Sequence, residues 1–146
     1  MTYLLRVTLI ALALLTTVSC SSKRMLTPDR TLHASIQSDR AQMQQAIVKT
    51  LVARGWTVQK ITPQLVQAQI TVREQYHAEI DIPYSANHYQ IAYRDSSGLD
   101  YKDGKIHKNY IRWVRLLDKG IVRELKDHQN ERTARQLSES ALAKPL

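Results

Sequence analysis

Three consecutive stretches of two-residue alternation constrain this chain more than any other feature. Val66, Ala68, Ile70 and Val72 alternate with Gln67, Gln69, Thr71 and Arg73. Tyr76, Ala78, Ile80 and Ile82 alternate with His77, Glu79 and Asp81, and Tyr89, Ile91 and Tyr93 with His88, Gln90 and Arg94. Successive side chains of a strand point to opposite faces, so each stretch reads as a strand with one dry and one wet face. Trp56 and Val58 begin a shorter strand, which Thr62-Pro63-Gln64 turns back. The expectation is a four-stranded antiparallel meander. A two-residue turn at Ser85-Ala86 would set Ile82 opposite Tyr89, Ile80 opposite Ile91 and Ala78 opposite Tyr93, with all apolar residues on one face. Ser-Ala is not a favoured turn pair, so a longer loop stays open.

Such a sheet needs a cover, and two helices can supply it. Asp39 followed by Gln42 has the form of a capping box, and Met43, Ala46, Ile47, Thr50 and Leu51 follow at helical spacing, closed by Gly55. Asp95–Lys105, with two glycines, three aspartates and a serine pair, reads as a loop, its Asp103-Gly104 forming a tight turn. Ile106, Tyr110, Trp113, Leu117, Ile121 and Leu125 then form the apolar stripe of a second helix. Leu32–Ile36 is a candidate short strand ahead of the first helix. The fold class expected is α+β: a two-layer sandwich with both helices on one face of the meander, in the order (β)α-β-β-β-β-α. The chain has 146 residues, 43% of them hydrophobic, which suits one domain and excludes wholesale disorder. Phe is absent, so Tyr and Trp must supply the aromatic core.

The N-terminus reads as an address. Arg6 precedes an uncharged, mostly apolar run from Val7 to Val18, shorter than the roughly 20 residues that span a bilayer and right for a signal peptide. The run ends at Thr17-Val18-Ser19-Cys20, which resembles the lipobox of bacterial lipoproteins, although Thr17 stands where Leu is usual. Cys20 is the chain's single cysteine, so an intramolecular disulfide and a multi-thiolate zinc site are both excluded. The expected organisation is a signal peptide over 1–19, a lipidated Cys20 and tether over 20–37, an α+β domain over 38–127, and a polar tail over 128–146 that is either a ragged helix or disordered. Three acyl chains on Cys20 would anchor the protein permanently. The resemblance implies an outer-membrane address facing the periplasm, because Ser21 rather than Asp follows the cysteine. The inner membrane or secretion is the alternative.

The element order, with DSSGLDY (95–101), IHKNYIRW (106–113) and the preceding IPYSANHY (82–89), resembles a group of small uncharacterised proteobacterial outer-membrane lipoproteins that carry DSxxLxY followed by IHxxYxxWV. The resemblance covers about residues 40–125. It implies the fold and the location, and it implies no activity.

Lys and Arg total 21 against 13 Asp and Glu, a formal net charge of +8. At about 100° per residue, Lys108, Arg112, Arg115, Lys119, Arg123 and Lys126 fall in one stripe opposite the apolar one, with Asp118, Glu124 and Asp127 off it. Such a ridge would be attracted to anionic headgroups, anionic wall polymer or an acidic protein; the bland alternative is a solvated helix face. The ridge would also suit nucleic acid, but an outer-membrane address removes most of it from reach and no stacking aromatics interleave the cations, so none is expected. Asp95, Ser96, Ser97, Asp100 and His107 include the residue types of a hydrolase, but no nucleophile elbow is visible, and His107 also suits a helix cap. His77 near Arg94 and His88 near Pro83 would lie too far apart to share a metal. No cofactor and no metal are indicated. The wet sheet face, with Gln67, Gln69, His77, Glu79, Gln90 and Arg94, is a weaker candidate partner surface. The leading expectation is a non-enzymatic, lipid-anchored envelope binding or scaffolding module. It would use the basic ridge and the contact candidates Asp95, Ser96 and His107 toward an envelope protein. Direct binding of an anionic envelope polymer or headgroup is the alternative, and a small hydrolase using Ser96 or Ser97 with His107 a remote one.

Overall fold

Helix α1 (Arg40–Ala53) is bounded at both ends by the signals its sequence carries. In the computed structural model of the chain, which describes residues 22–143, the Gln42 amide donates to Asp39 Oδ1 at 2.8 Å and the Asp39 amide to Gln42 Oε1 at 3.0 Å. The box satisfies amides that a helix start leaves without partners. At the other end Gly55 takes φ +78°, its amide bonds the Val52 carbonyl and the Trp56 amide the Leu51 carbonyl. That bond pair is a Schellman closure, and it needs the left-handed residue that glycine adopts freely.

The meander consists of β3 (Thr57–Thr62), β4 (Leu65–Val72), β5 (Tyr76–Pro83) and β7 (Ala92–Ser97), antiparallel and in the order β3-β4-β5-β7. Val66, Ala68, Ile70, Ala78, Ile80 and Ile82 all point into one core with Met43, Ile47 and Leu51 of α1. Helix α2 (Lys108–Leu142) contributes Tyr110, Ile111, Val114, Leu117, Ile121 and Leu125 to the same core. The α+β sandwich of the sequence pattern is therefore present, and alternation placed the inner face of β4 and β5 correctly.

Several elements differ from expectation. Residues 22–31 are not a free tether: β1 (Ser22–Arg24) pairs with β8 (Lys105–His107), and β2 (Asp29–Thr31) with β6 (His88–Gln90). Leu32–Ile36 is not a strand but a turn, closed by the Ile36 amide on the His33 carbonyl. The predicted fourth strand is split. The Ile91 amide donates to Pro28, so the chain leaves β2 at that point and joins β5 only from Ala92. Ile80 consequently faces Tyr93 rather than Ile91, and Ala78 faces Ser96. The first shift is by two residues, so the apolar face is kept. A bulge between Glu79 and Ile80 gives Arg94 no Cα partner and places its guanidinium between Glu79 and Asp81. The Cα partner of His77 is Ser97, yet its ring lies near Arg94 as expected, both bonding the Glu79 carboxylate; His88 faces Thr31 rather than Pro83.

Asp95–Ser97 belongs to β7 and Lys105–His107 to β8, so the loop is shorter than the Asp95–Lys105 read from composition. The Asp103-Gly104 turn forms, with φ +50° and +72° and mutual amide–carbonyl bonds of 2.9 Å between Lys102 and Lys105. The tail is helical: α2 runs unbroken to Leu142, although everything from Asn130 to Leu142 is exposed. Gln129 and Arg132 tie it to the 33–38 loop by bonding Ser35, Gln37 and its amide. Trp113 is half-buried, with Val114 taking the central position expected of it.

The helices cross where Gly120 meets Thr50. A Cβ on Gly120 would stand 2.6 Å from Thr50 Cγ2, and Thr50 is buried. Gly120→Ala gains about 1 kcal/mol of helix propensity but crowds a stiff β-branched side chain, so a net loss of about 1–2 kcal/mol is expected in urea unfolding. Adding Thr50→Ser, which removes the clashing methyl, should restore part of it.

Candidate functional site

The basic ridge is real as a surface. Lys108, Arg112, Arg115, Lys119, Arg123 and Lys126 are all exposed. The acids that would neutralise it are engaged elsewhere. Glu124 accepts from Lys49 of α1 at 2.7 Å, which raises the Lys49 pKa. Asp118 is taken by Arg30. Only Asp127 reaches the ridge, 3.7 Å from Arg123, and that exposed pair is weak. Among the described residues, Lys108, Arg112, Arg115, Lys119 and Lys126 make no ion pair. The helix has 35 residues, about 52 Å at 1.5 Å per residue, and the ridge follows its first half.

Beside the ridge lies a part-buried ion pair centred on the buried Asp118 carboxylate. Arg30 Nε donates to Asp118 Oδ1 at 2.8 Å and Arg30 Nη2 to Oδ2 at 2.5 Å, a two-pronged guanidinium–carboxylate pair. The Tyr89 hydroxyl donates to Oδ1 at 2.7 Å. Burial alone would push the Asp118 carboxyl up; hydrogen bonds from Arg30 and Tyr89 outweigh it and hold the group below the usual carboxylate range. Burial and the adjacent carboxylate push the Tyr89 phenol up. Three elements, β2, β6 and α2, are clamped together here. Neither Arg30 nor Tyr89 was expected in this role. A signal existed for Asp118: it sits seven residues from both Ile111 and Leu125, on the dry face, where a lone carboxylate requires a cation.

The loop candidates do not assemble into a hydrolytic site. Ser96 Oγ bonds the Tyr93 hydroxyl at 3.0 Å, and the Asp95 carboxylate accepts from the Ser96 amide at 2.8 Å. His107 is the N-cap of α2: its Nδ1 accepts from the Asn109 amide at 3.2 Å, and its ring stacks on Tyr76. No hydrogen bond joins His107 to Ser96 or Ser97 among the described residues, so the base and nucleophile of that reading are not coupled. Nor does one join Asp95, Ser96 and His107 into a single contact group. No set of three His, Cys, Asp or Glu among the described residues is placed to hold a metal.

The wet sheet face satisfies itself. Arg94 bridges Glu79 and Asp81 at 2.9 and 3.4 Å and donates to Gln59; Gln67 bonds Asp81, and His77 bonds Glu79. Gln90 is not part of this net; it bonds Asp29 of β2. Cys20 and the segment 1–19 expected to be a signal peptide lie outside the described residues. No helix among the described residues is long and apolar enough to cross a membrane. No protein-family model matches the chain, and no curated protein matches it in sequence.

Proposed function

We propose that the chain is a non-enzymatic, lipid-anchored envelope protein: a binding or scaffolding module on the periplasmic side of the outer membrane, anchored through Cys20. The lipobox-like Thr17–Cys20 and Ser21 support the anchor and the address, as does the resemblance of residues 40–125 to small lipoproteins. The observation that carries the binding reading is the unneutralised ridge. Its helix has acids, yet Asp118 and Glu124 are held by Arg30 and Lys49, leaving Lys108, Arg112, Arg115 and Lys119 facing outward. The same observation favours an anionic polymer or headgroup over a tailored protein interface, because like charges unpaired along a helix suit a repeating anion.

The test is co-sedimentation of the full chain, in non-ionic detergent, with purified cell-wall sacculi across a salt series. Polyanion binding through three or more of these cations should weaken at least about tenfold between about 50 and 200 mM salt. It should vanish when Arg112, Arg115 and Lys119 are all changed to Glu. Salt-resistant binding would point to a specific wall-polymer contact outside the ridge. No binding at low salt would make the ridge a solvated face.

A further inference from the structure

At the end of the domain where the chain enters it, a cleft of about 310 Å³ opens between the β4–β5 turn and the start of α2. Val72, Arg73, Tyr76, Asn109, Arg112 and Trp113 line it. Arg73 and Arg112 are exposed and make no ion pair among the described residues. Arg73 and the next residue, Glu74, both have φ +55°, a left-handed turn that non-glycine residues seldom adopt. Glu74 is not among the lining residues. Tyr76 and Trp113 are half-buried, each with a polar atom on an apolar ring.

The position of this cleft follows from β1. Ser22 is the Cα partner of His107, and His107 both caps α2 and stacks on Tyr76 of the cleft wall, ring centres 5.7 Å apart. Cys20 precedes Ser22 by two residues, a covalent reach of about 7 Å. If Cys20 carries the anchor, the headgroup layer lies beside the β1–β8 pair and the first turns of α2. Guanidinium groups hold phosphate by paired donors, and Trp and Tyr favour the headgroup depth of a bilayer. We propose that the cleft between Arg73 and Arg112 receives the phosphate of an anionic phospholipid in the membrane that holds the anchor. This inference rests on the lipid-anchor reading above, and it makes the near end of the ridge a membrane contact.

The full chain is purified, and intact mass establishes whether Cys20 is acylated. The acylated protein is placed in nanodiscs of phosphatidylcholine alone or mixed with phosphatidylglycerol. Quenching of Trp113 emission by a headgroup spin-labelled lipid is then measured, with W113Y supplying the background from buried Trp56. Phosphatidylglycerol should raise the quenching at least about twofold, and Arg73→Gln with Arg112→Gln should return it to the neutral-lipid value. Both residues are exposed, so an unchanged circular dichroism spectrum is expected of the variant. Equal quenching in the two lipids, or no effect of the double variant, overturns the proposal. A Trp113 response to inorganic phosphate that abolishes the lipid effect assigns the cleft to a free anion instead and overturns the lipid source. An unmodified Cys20 overturns the anchor reading by itself. The unmodified chain is then given phosphatidylglycerol vesicles from outside, where absence of Trp113 quenching overturns the cleft as well.

Discussion

Gly98→Ala is expected to cost about 3–5 kcal/mol, read as a lower urea midpoint at unchanged slope. Gly98 follows β7 at φ +70°, and a Cβ there would stand 2.0 Å from the carbonyl oxygen of Gln75. That oxygen belongs to the backbone of the β4–β5 turn and cannot rotate aside as a side chain would. Either β7 lifts from β5 or the turn moves, and Leu99, fully buried next door, loses its seat. Gly104→Ala is the control. Its φ is +72°, yet nothing lies within 4 Å of the added Cβ. It should lose only about 1 kcal/mol of conformational strain. Equal losses at the two positions would show that the Gln75 contact is unimportant.

Asp118→Ala should cost about 2–3 kcal/mol at neutral pH. Arg30 is half exposed and recovers water when its partner goes, which keeps the figure below that of a fully buried pair. Tyr89 does not recover water: it is fully buried, and its hydroxyl would exchange the 2.7 Å carboxylate bond for the longer 3.2 Å one to the residue-118 carbonyl. The loss should depend on pH. The folded carboxyl titrates below its ordinary value of 3.8, so its contribution is complete above that value and disappears as pH falls through the lower folded pKa. The difference in unfolding free energy between the wild type and Asp118→Ala should therefore shrink below about pH 4. A difference that stays constant into strong acid would mean that the ion pair carries none of the stability.

The sequence was readable where local chemistry decided the outcome. Asp39 with Gln42, Gly55, Asp103-Gly104 and the alternation of β4 and β5 are each settled within a few residues of chain, and each formed. What escaped was decided at a distance. Strands β1 and β2 are three residues each and mostly polar, and exist because β8 and β6 present partners far along the chain. Asp95-Ser96-Ser97 has turn composition but pairs with β5, since a ladder can override weak propensity. The tail has no apolar stripe, yet its Glu, Arg, Gln, Ala and Leu are good helix formers that continue a helix already nucleated by packing. In the candidate site the ridge was visible because it lies on one helix. Arg30 was not, because nothing near it in sequence announces the carboxylate 88 residues away.

That separation also sets an order in time. The residues that immediately follow Cys20 are made early, yet their partners come late: Asp29 and Gln90 are 61 residues apart, and Arg30 and Asp118 are 88. No local contact can substitute, and closing so long a loop is slow. Any enzyme that must work on Cys20 before the domain completes would meet an unpaired neighbouring segment. Once Asp118 is in place, the same segment is drawn into the fold and the window closes.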